Sequence, residues 1–466
     1  MLSLFKIDKR GTTVTREVMG GITTFMAMSY IIFVQPSILS AADMDANGVI
    51  MATCIAAAIG CVLMGLLANY PIALAPGMGH NAFFAFVICG AAFGLSWQEG
   101  LAITLLSGLI FLGLSFVGFR SMLLNSIPDS LKSAIAAGIG LFIALIGLQF
   151  GNIITHSEPT MVTLAPLSGN HVALLTVFGL AVTLLLTAWR VPGAVLVGII
   201  ATTLLSWMFG AWFGWPAVQS PESIVAVPTG LEKTVGGALS GFGGIWQRVT
   251  SGGLLNLLAL VFILVFMDLF DTVGTLVGVA KRAGLVRMGV LPRAERALAA
   301  DAGGTVAGAL LGTSTVTSYI ESITGVQAGA RTGLAAIVAG LLMLLAMFFQ
   351  PVVRVIGGGV TLGTTEAGVP IIKYPMIAPA LIFVGALMVR AVRDVDWDDI
   401  TEALPAFLTM IVMPLAYSIA DGIAIGFISY ALAKVIIGKP KQCPLIVHIF
   451  AVLFIGMYVV RAMTTE

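Results

Sequence analysis

The sequence predicts an all-α polytopic membrane protein, and three observations carry that reading. Of 466 residues, 59% are hydrophobic and only 10% are charged, whereas a water-soluble domain carries about 25% charged residues. Apolar runs near the roughly 20 residues needed to span a bilayer recur along the chain. Interruptions rich in glycine, proline and hydroxyl residues fall at corresponding places in its two halves. A chain this apolar could not cover a water-facing surface.

From the amino end, spans are expected near 17–40, 48–68, 71–90, 98–118, 131–149, 171–189 and 192–213. The stretch 214–252, with Pro216, Pro221 and Pro228, breaks the pattern, and further spans follow near 254–280, 296–312, 313–328, 331–350, 375–392, 403–436 and 443–462. About 14 transmembrane segments, divided equally around a polar middle, suggest two inverted repeats, a common transporter plan. The opening "MLSLFKIDKRG" is short and basic, and the run after it is long enough to stay in the bilayer rather than act as a cleaved signal.

With a cytoplasmic N-terminus, most of the 23 Lys and Arg residues fall on the cytoplasmic side, as the positive-inside rule requires. "KRAGLVRMGVLPRAER", Lys281 to Arg296, is the strongest such marker, and Arg120 belongs to the same set. The run 403–436 is too long for one simple span and is interrupted by Pro414, Asp421 and Gly422. Crossing once, it leaves Lys434, Lys439 and Lys441 outside. Crossing twice, it returns them inside and makes the terminal helix an extra pass.

Several function classes are excluded early. The net charge is +1 without a basic or acidic block, so nothing points to nucleic acid. Cys54, Cys61, Cys89 and Cys443 have neither disulfide nor zinc spacing, and the three in apolar runs read as small core residues. No Walker A motif is present, so ATP hydrolysis is not expected, and neither is any other enzymatic role.

Two segments make poor helices. "YPIALAPGMGHNAFFAF", Tyr70 to Phe86, places two prolines and two glycines in its first half, and "LGTSTVTSYIESITGV", Leu311 to Val326, opens with a β-branched, hydroxyl-rich run. Each reads as an extended piece followed by a half-helix. Irregular backbone at membrane depth needs cover from protein or a cavity, and paired interruptions point to the binding site.

The residues with chemical potential lie around these breaks. In "FMDLFDTVGTL", Asp268, Asp271 and Thr275 stand at i, i+3 and i+7 and so share a helical face. Gly274 and Gly278 could admit another backbone closely. Glu321 follows the second break. Intramembrane acids are costly and therefore point to function; the bland alternative is that they brace the fold by pairing with basic groups, which sit mostly at segment ends. Asp268 could equally cap or brace a neighbouring helix. Asn81 could cap the first half-helix or serve a ligand beside the helix's free N–H groups. Phe83, Phe84 and Tyr319 could stack on a flat ring, although aromatics at helical spacing are usually core. His80 could relay protons or simply pack beside the break. "AAGIGLFIALIGL", Ala136 to Leu148, reads as a close-packing surface.

Six stretches, "GGITTFMAMSYIIFVQPSIL", "APGMGHNAFFAF", "FMDLFDTVGTLVGVA", "GTSTVTSYIESITGV", "GARTGLAAIVAG" and "PAFLTMIVMPLAYSIADGIAIGF", together resemble the azaguanine-like purine permeases. That branch of the nucleobase–cation symporters carries hypoxanthine, guanine and adenine. The resemblance spans nearly the whole chain in order. It implies a core domain and a gate domain built from the repeats: residues 1–213 (core 17–118, gate 131–213), a connection at 214–252, and residues 253–466 (core 254–350, gate 375–462).

Matched position by position, the resemblance makes Asp271, Glu321 and Asn81 substrate residues, with Thr275 beside them and backbone groups around Ala82, Phe83, Tyr319 and Ile320 facing the base. It makes Glu321 or Asp271, with Asp268 as a further candidate, the carrier of a coupled proton. Acids shielded from water are easier to protonate near neutral pH. Asp421 varies in the family and is not essential, and His80 departs from the commoner apolar residue. The implied function is purine import across the cytoplasmic membrane by proton symport, with no cofactor, in a lipid bilayer, and with homodimers through the gate domain among relatives. The competing expectations are a uracil or xanthine carrier and an anion exchanger of the same architecture. An anion exchanger should keep carboxylates away from its site.

Overall fold

The computed structural model describes residues 5–90, 93–116, 127–166, 168–215, 217–285, 291–364 and 370–464. Arg120, Arg287 and Pro216 lie outside them. In chain order the elements are α1 Val14–Met28, α2 Ile31–Leu39, α3 Ala46–Leu63, β1 Leu74–Pro76, α4 Met78–Ala82, α5 Trp97–Phe116 and α6 Asp129–Phe150. After these come β2 Ile154–Ser157, β3 Met161–Leu164, α7 His171–Ala188, α8 Ala194–Phe213 and α9 Gly237–Arg248. The second half begins with α10 Leu254–Arg282, α11 Ala294–Leu311, β4 Val316–Ser318, α12 Ser322–Gln327, α13 Gly333–Ala346 and α14 Gln350–Gly357. It closes with β5 Val360–Thr364, β6 Pro370–Lys373, α15 Ala378–Met388, α16 Ile400–Leu415, α17 Ile419–Ile436 and α18 Leu445–Thr464.

Among the described residues, nine helices are long and apolar enough to cross a membrane, and Met78–Ile88, Ile400–Leu415 and Leu445–Val459 are shorter apolar helices. Local chemistry sets several boundaries. The side chains of Thr13, Asp45, Asn170, Thr332, Asp399 and Ser418 accept from amides in the first turn of α1, α3, α7, α13, α16 and α17, which satisfies donors that have no intrahelical partner.

The two expected interruptions are present and meet. β1 and β4 pair antiparallel, with Leu74 opposite Ser318, Ala75 opposite Thr317 and Pro76 opposite Val316. The Tyr319 amide donates to the Ala73 carbonyl at 2.9 Å, and the Gly77 amide to the Thr315 carbonyl at 2.9 Å. Each break therefore supplies the hydrogen bonds that the other lacks, as backbone in an apolar layer must. Cys61 joins in: its thiol accepts from the Leu74 amide at 3.2 Å and donates to the Leu74 carbonyl at 3.4 Å. Small residues let helices close on the ribbon. A Cβ built on Gly60 of α3 would meet Leu74 at 3.0 Å, and one on Gly304 of α11 would meet Val316 at 3.0 Å.

The carboxy-terminal quarter resolves the ambiguity at 403–436. The run forms two packed helices, α16 and α17, joined through Tyr417 at a φ of 52°. Lys434 at the end of α17 returns to the start of α16, where its Nζ lies 2.8 Å from Glu402 and 3.6 Å from Asp399. The run is therefore a hairpin rather than one long helix, and Lys434 lies beside the start of α16. Helix α18 is an addition after it. The central stretch is not merely a connection: α9 packs along α5, and Arg248 Nε donates to Glu99 Oε1 at 2.8 Å.

Candidate functional site

Helix α10 brings its acids to the ribbon, but to different neighbours. Asp268 is 2% exposed and accepts from Thr305 Oγ1 of α11 at 3.3 Å. Asp271, whose side chain is 28% exposed, faces α4 instead, with Oδ2 lying 3.9 Å from His80 Nδ1. The shared helical face does not make them one group.

Between them Thr272 is fully buried, and its hydroxyl lies 2.7 Å from Asp301 Oδ2, 3.0 Å from Thr317 Oγ1 and 3.4 Å from Asp268 Oδ1. Ser318 Oγ donates to the other oxygen of Asp301 at 3.0 Å. Asp268 and Asp301 thus belong to a buried hydroxyl network that holds α10, α11 and β4 together. Asp301 was missed in the sequence, although an acid inside the apolar run of α11 obeys the same rule that singled out the others.

The expectation for Gly274 and Gly278 is corrected. A Cβ on Gly274 would meet nothing within 4 Å, and one on Gly278 only Ile320 Cδ1 at 3.4 Å. Among the described residues the space beside them is open, and no backbone packs there. Thr275 is buried beside this face at 7% exposure.

Glu321 lies at the entry to α12, half-buried. Its Oε1 accepts from Tyr30 Oη at 2.7 Å. Tyr319 is buried, and its hydroxyl donates to the Pro76 carbonyl at 2.6 Å, so its polar end braces the ribbon. Ile320 is 39% exposed and borders the open side. Tyr30 lies between α1 and α2, a position with no distinctive sequence signal.

Asn81 is fully buried, and its amide donates to the Gly77 carbonyl at 2.9 Å. It therefore sits inside the first turns of α4, and the capping position is Gly77. Its Oδ1 accepts from Ser314 Oγ, while Gln35 Nε2 donates to Thr313 at 2.8 Å and reaches Ser314 at 3.4 Å. Asn81 Nδ2 has no partner. Ala82, Phe83 and Phe84 are buried in the core, so aromatic stacking by Phe83 or Phe84 is not what the packing offers. Among the described residues neither Asp271 nor Glu321 pairs with a lysine or arginine; the cation of each such pair meets Asp45, Glu99, Asp129, Asp399 or Glu402.

A model described as a permease family, Xan_ur_permease, matches residues 15–425. The chain belongs to this permease family. The permease is 45% identical over 468 residues to the guanine/hypoxanthine permease PbuG of Bacillus subtilis, covering 98% of this chain and 99% of that one. It is 41% identical to the adenine permease AdeQ of Escherichia coli, covering 97% and 94%. Its fold is similar to the transmembrane domain of a cyanobacterial bicarbonate transporter, BicA, with a TM-score of 0.59 and 14% identity over 87% of this chain and 97% of that one. The permease is thus a multi-pass membrane transporter and not an enzyme.

Proposed function

We propose that this permease imports purine nucleobases across the cell membrane by proton symport, with its N-terminus cytoplasmic. The observation that carries the reading is the placement of Asp271 and Glu321, partly accessible and without a lysine or arginine partner among the described residues, beside two paired chain breaks. Relatives named for guanine, hypoxanthine and adenine support the substrate class.

The chemistry suits a neutral purine. Carboxylate oxygens accept from ring or exocyclic N–H groups. Asn81 Nδ2, which has no partner among the described residues, can donate to a ring nitrogen or carbonyl, and the backbone around Ala82, Phe83, Tyr319 and Ile320 completes the proposed lining. Thr275 supports the Asp271 face. Glu321 or Asp271 takes the proton, with Asp268 as the buried reserve. Substrate then completes the hydrogen bonds of the protonated site, and the core elements (17–118, 254–350) move against the gate elements (131–213, 375–462). One charge crossing 100 mV supplies about 2.3 kcal/mol, enough for roughly fifty-fold accumulation.

The test is hypoxanthine uptake into proteoliposomes under an imposed pH gradient, with Asp271→Asn and Glu321→Gln alongside. Wild-type uptake should collapse with an uncoupler and be lost in both variants. Undiminished uptake by both variants would refute the site, and uptake that ignores the uncoupler would remove the proton. The fold shared with a bicarbonate transporter raises an anion substrate as a second reading, but two unneutralised carboxylates would repel an anion.

A further inference from the structure

Two carboxylates flank the ribbon, and one of them already has a protein group holding a single oxygen. Glu321 Oε1 accepts from Tyr30 at 2.7 Å, which leaves Oε2 for other partners. Asp271 meets Thr317 of β4, and His80 of α4 also stands beside it. The His80 side chain is only 2% exposed, and neither ring nitrogen has a hydrogen-bond partner. A polar ring buried without partners is costly, and such groups in native proteins call for an explanation.

The ring's position supplies one. Nδ1 lies 3.9 Å from Asp271 Oδ2, about 1 Å beyond hydrogen-bond length. It is seated on bare backbone: a Cβ on Gly77 would come within 2.6 Å of that same Nδ1 and 2.7 Å of Thr317 Cγ2. The ring therefore has Gly77 beneath it and Asp271 before it.

We propose that His80 is a positioning residue for Asp271. In the loaded site its Nδ1–H closes on Oδ2, which orients the carboxylate to accept from the base. Each acid would then be held by a protein donor while still accepting from an N–H group of the purine. This inference rests on the purine reading above.

The experiment compares hypoxanthine uptake by wild type, His80→Leu and His80→Gln in proteoliposomes, with folding monitored by thermal unfolding of each purified protein. The expected result is a KM raised roughly tenfold in His80→Leu, the scale of one hydrogen bond to a charged group, at a nearly unchanged kcat. His80→Gln, whose side-chain amide can still donate, should recover most of the loss. An unchanged KM in His80→Leu, or equal loss in both variants with equal thermal stability, would overturn the proposal while leaving purine transport standing. Wild-type protein that takes up no purine would overturn both.

Discussion

The Tyr30 hydroxyl donates a 2.7 Å hydrogen bond to Glu321 Oε1, tying the first membrane helix to the break in the second half of the chain. The two residues are 291 positions apart. A hydrogen bond to a charged acceptor is worth about 1.5–3 kcal/mol. Tyr30→Phe keeps the ring and removes the donor, so purine KM should rise about tenfold or more, as measured by concentration-dependent uptake. An unchanged KM would show that Glu321 is oriented by other contacts.

Thr272 occupies the centre of the buried network, within reach of Asp268, Asp301 and Thr317. Thr272→Val preserves shape and deletes the hydroxyl, leaving Asp301 short of a donor at a fully buried site. The expected loss is about 1–3 kcal/mol of stability, seen as a lowered Tm in detergent. Thr272→Ser should retain most of it.

Gly77 lies where a side chain has no room, since its Cβ would fall 2.6 Å from His80 and 2.7 Å from Thr317. Overpacking of this kind costs about 1–3 kcal/mol. Gly77→Ala should both lower Tm and weaken purine uptake by displacing His80; a variant with full activity would mean the ring moves aside freely.

Lys434 is 4% exposed and meets Glu402 at 2.8 Å. Removing one partner of a buried pair costs about 3–5 kcal/mol because the other charge stays behind. Lys434→Met should therefore destabilise strongly, and adding Glu402→Gln should restore much of the Tm. Failure of the second change to rescue would assign the loss to packing of the lysine stem.

Outside the membrane-spanning segments, partial burial alone would raise the Asp45 carboxyl. Hydrogen bonds from Lys233 and the Gly48 amide, with the lysine's charge, overcome that effect and hold it below the usual carboxylate value. A depressed carboxyl adds stability that is present above its ordinary value of 3.8 and is lost as pH falls through the lower folded value. Hydrogen-exchange protection around 230–236, corrected for the intrinsic rate, should therefore fall only below about pH 4, and Lys233→Met should shrink that acid-dependent step.

The sequence by itself determined that the chain lives in a membrane, where its two breaks fall, and that Asp271 and Glu321 are acids within apolar runs. Those facts are local: hydropathy, proline and glycine spacing, and acids in apolar runs require no partner to be read. The tertiary structure alone decided that Asp268 and Asp271 part company. Residues three apart on a helix differ by only about 60° in direction, and which neighbour each meets depends on how α4, α11 and the ribbon pack around α10. For the same reason Tyr30, Gln35 and Ser314 were invisible as site residues, since each is an ordinary side chain until a segment hundreds of positions away comes to face it. The hairpin at 403–436 was likewise left open by hydropathy, because two short apolar helices and one long span look alike until Lys434 is seen beside Glu402.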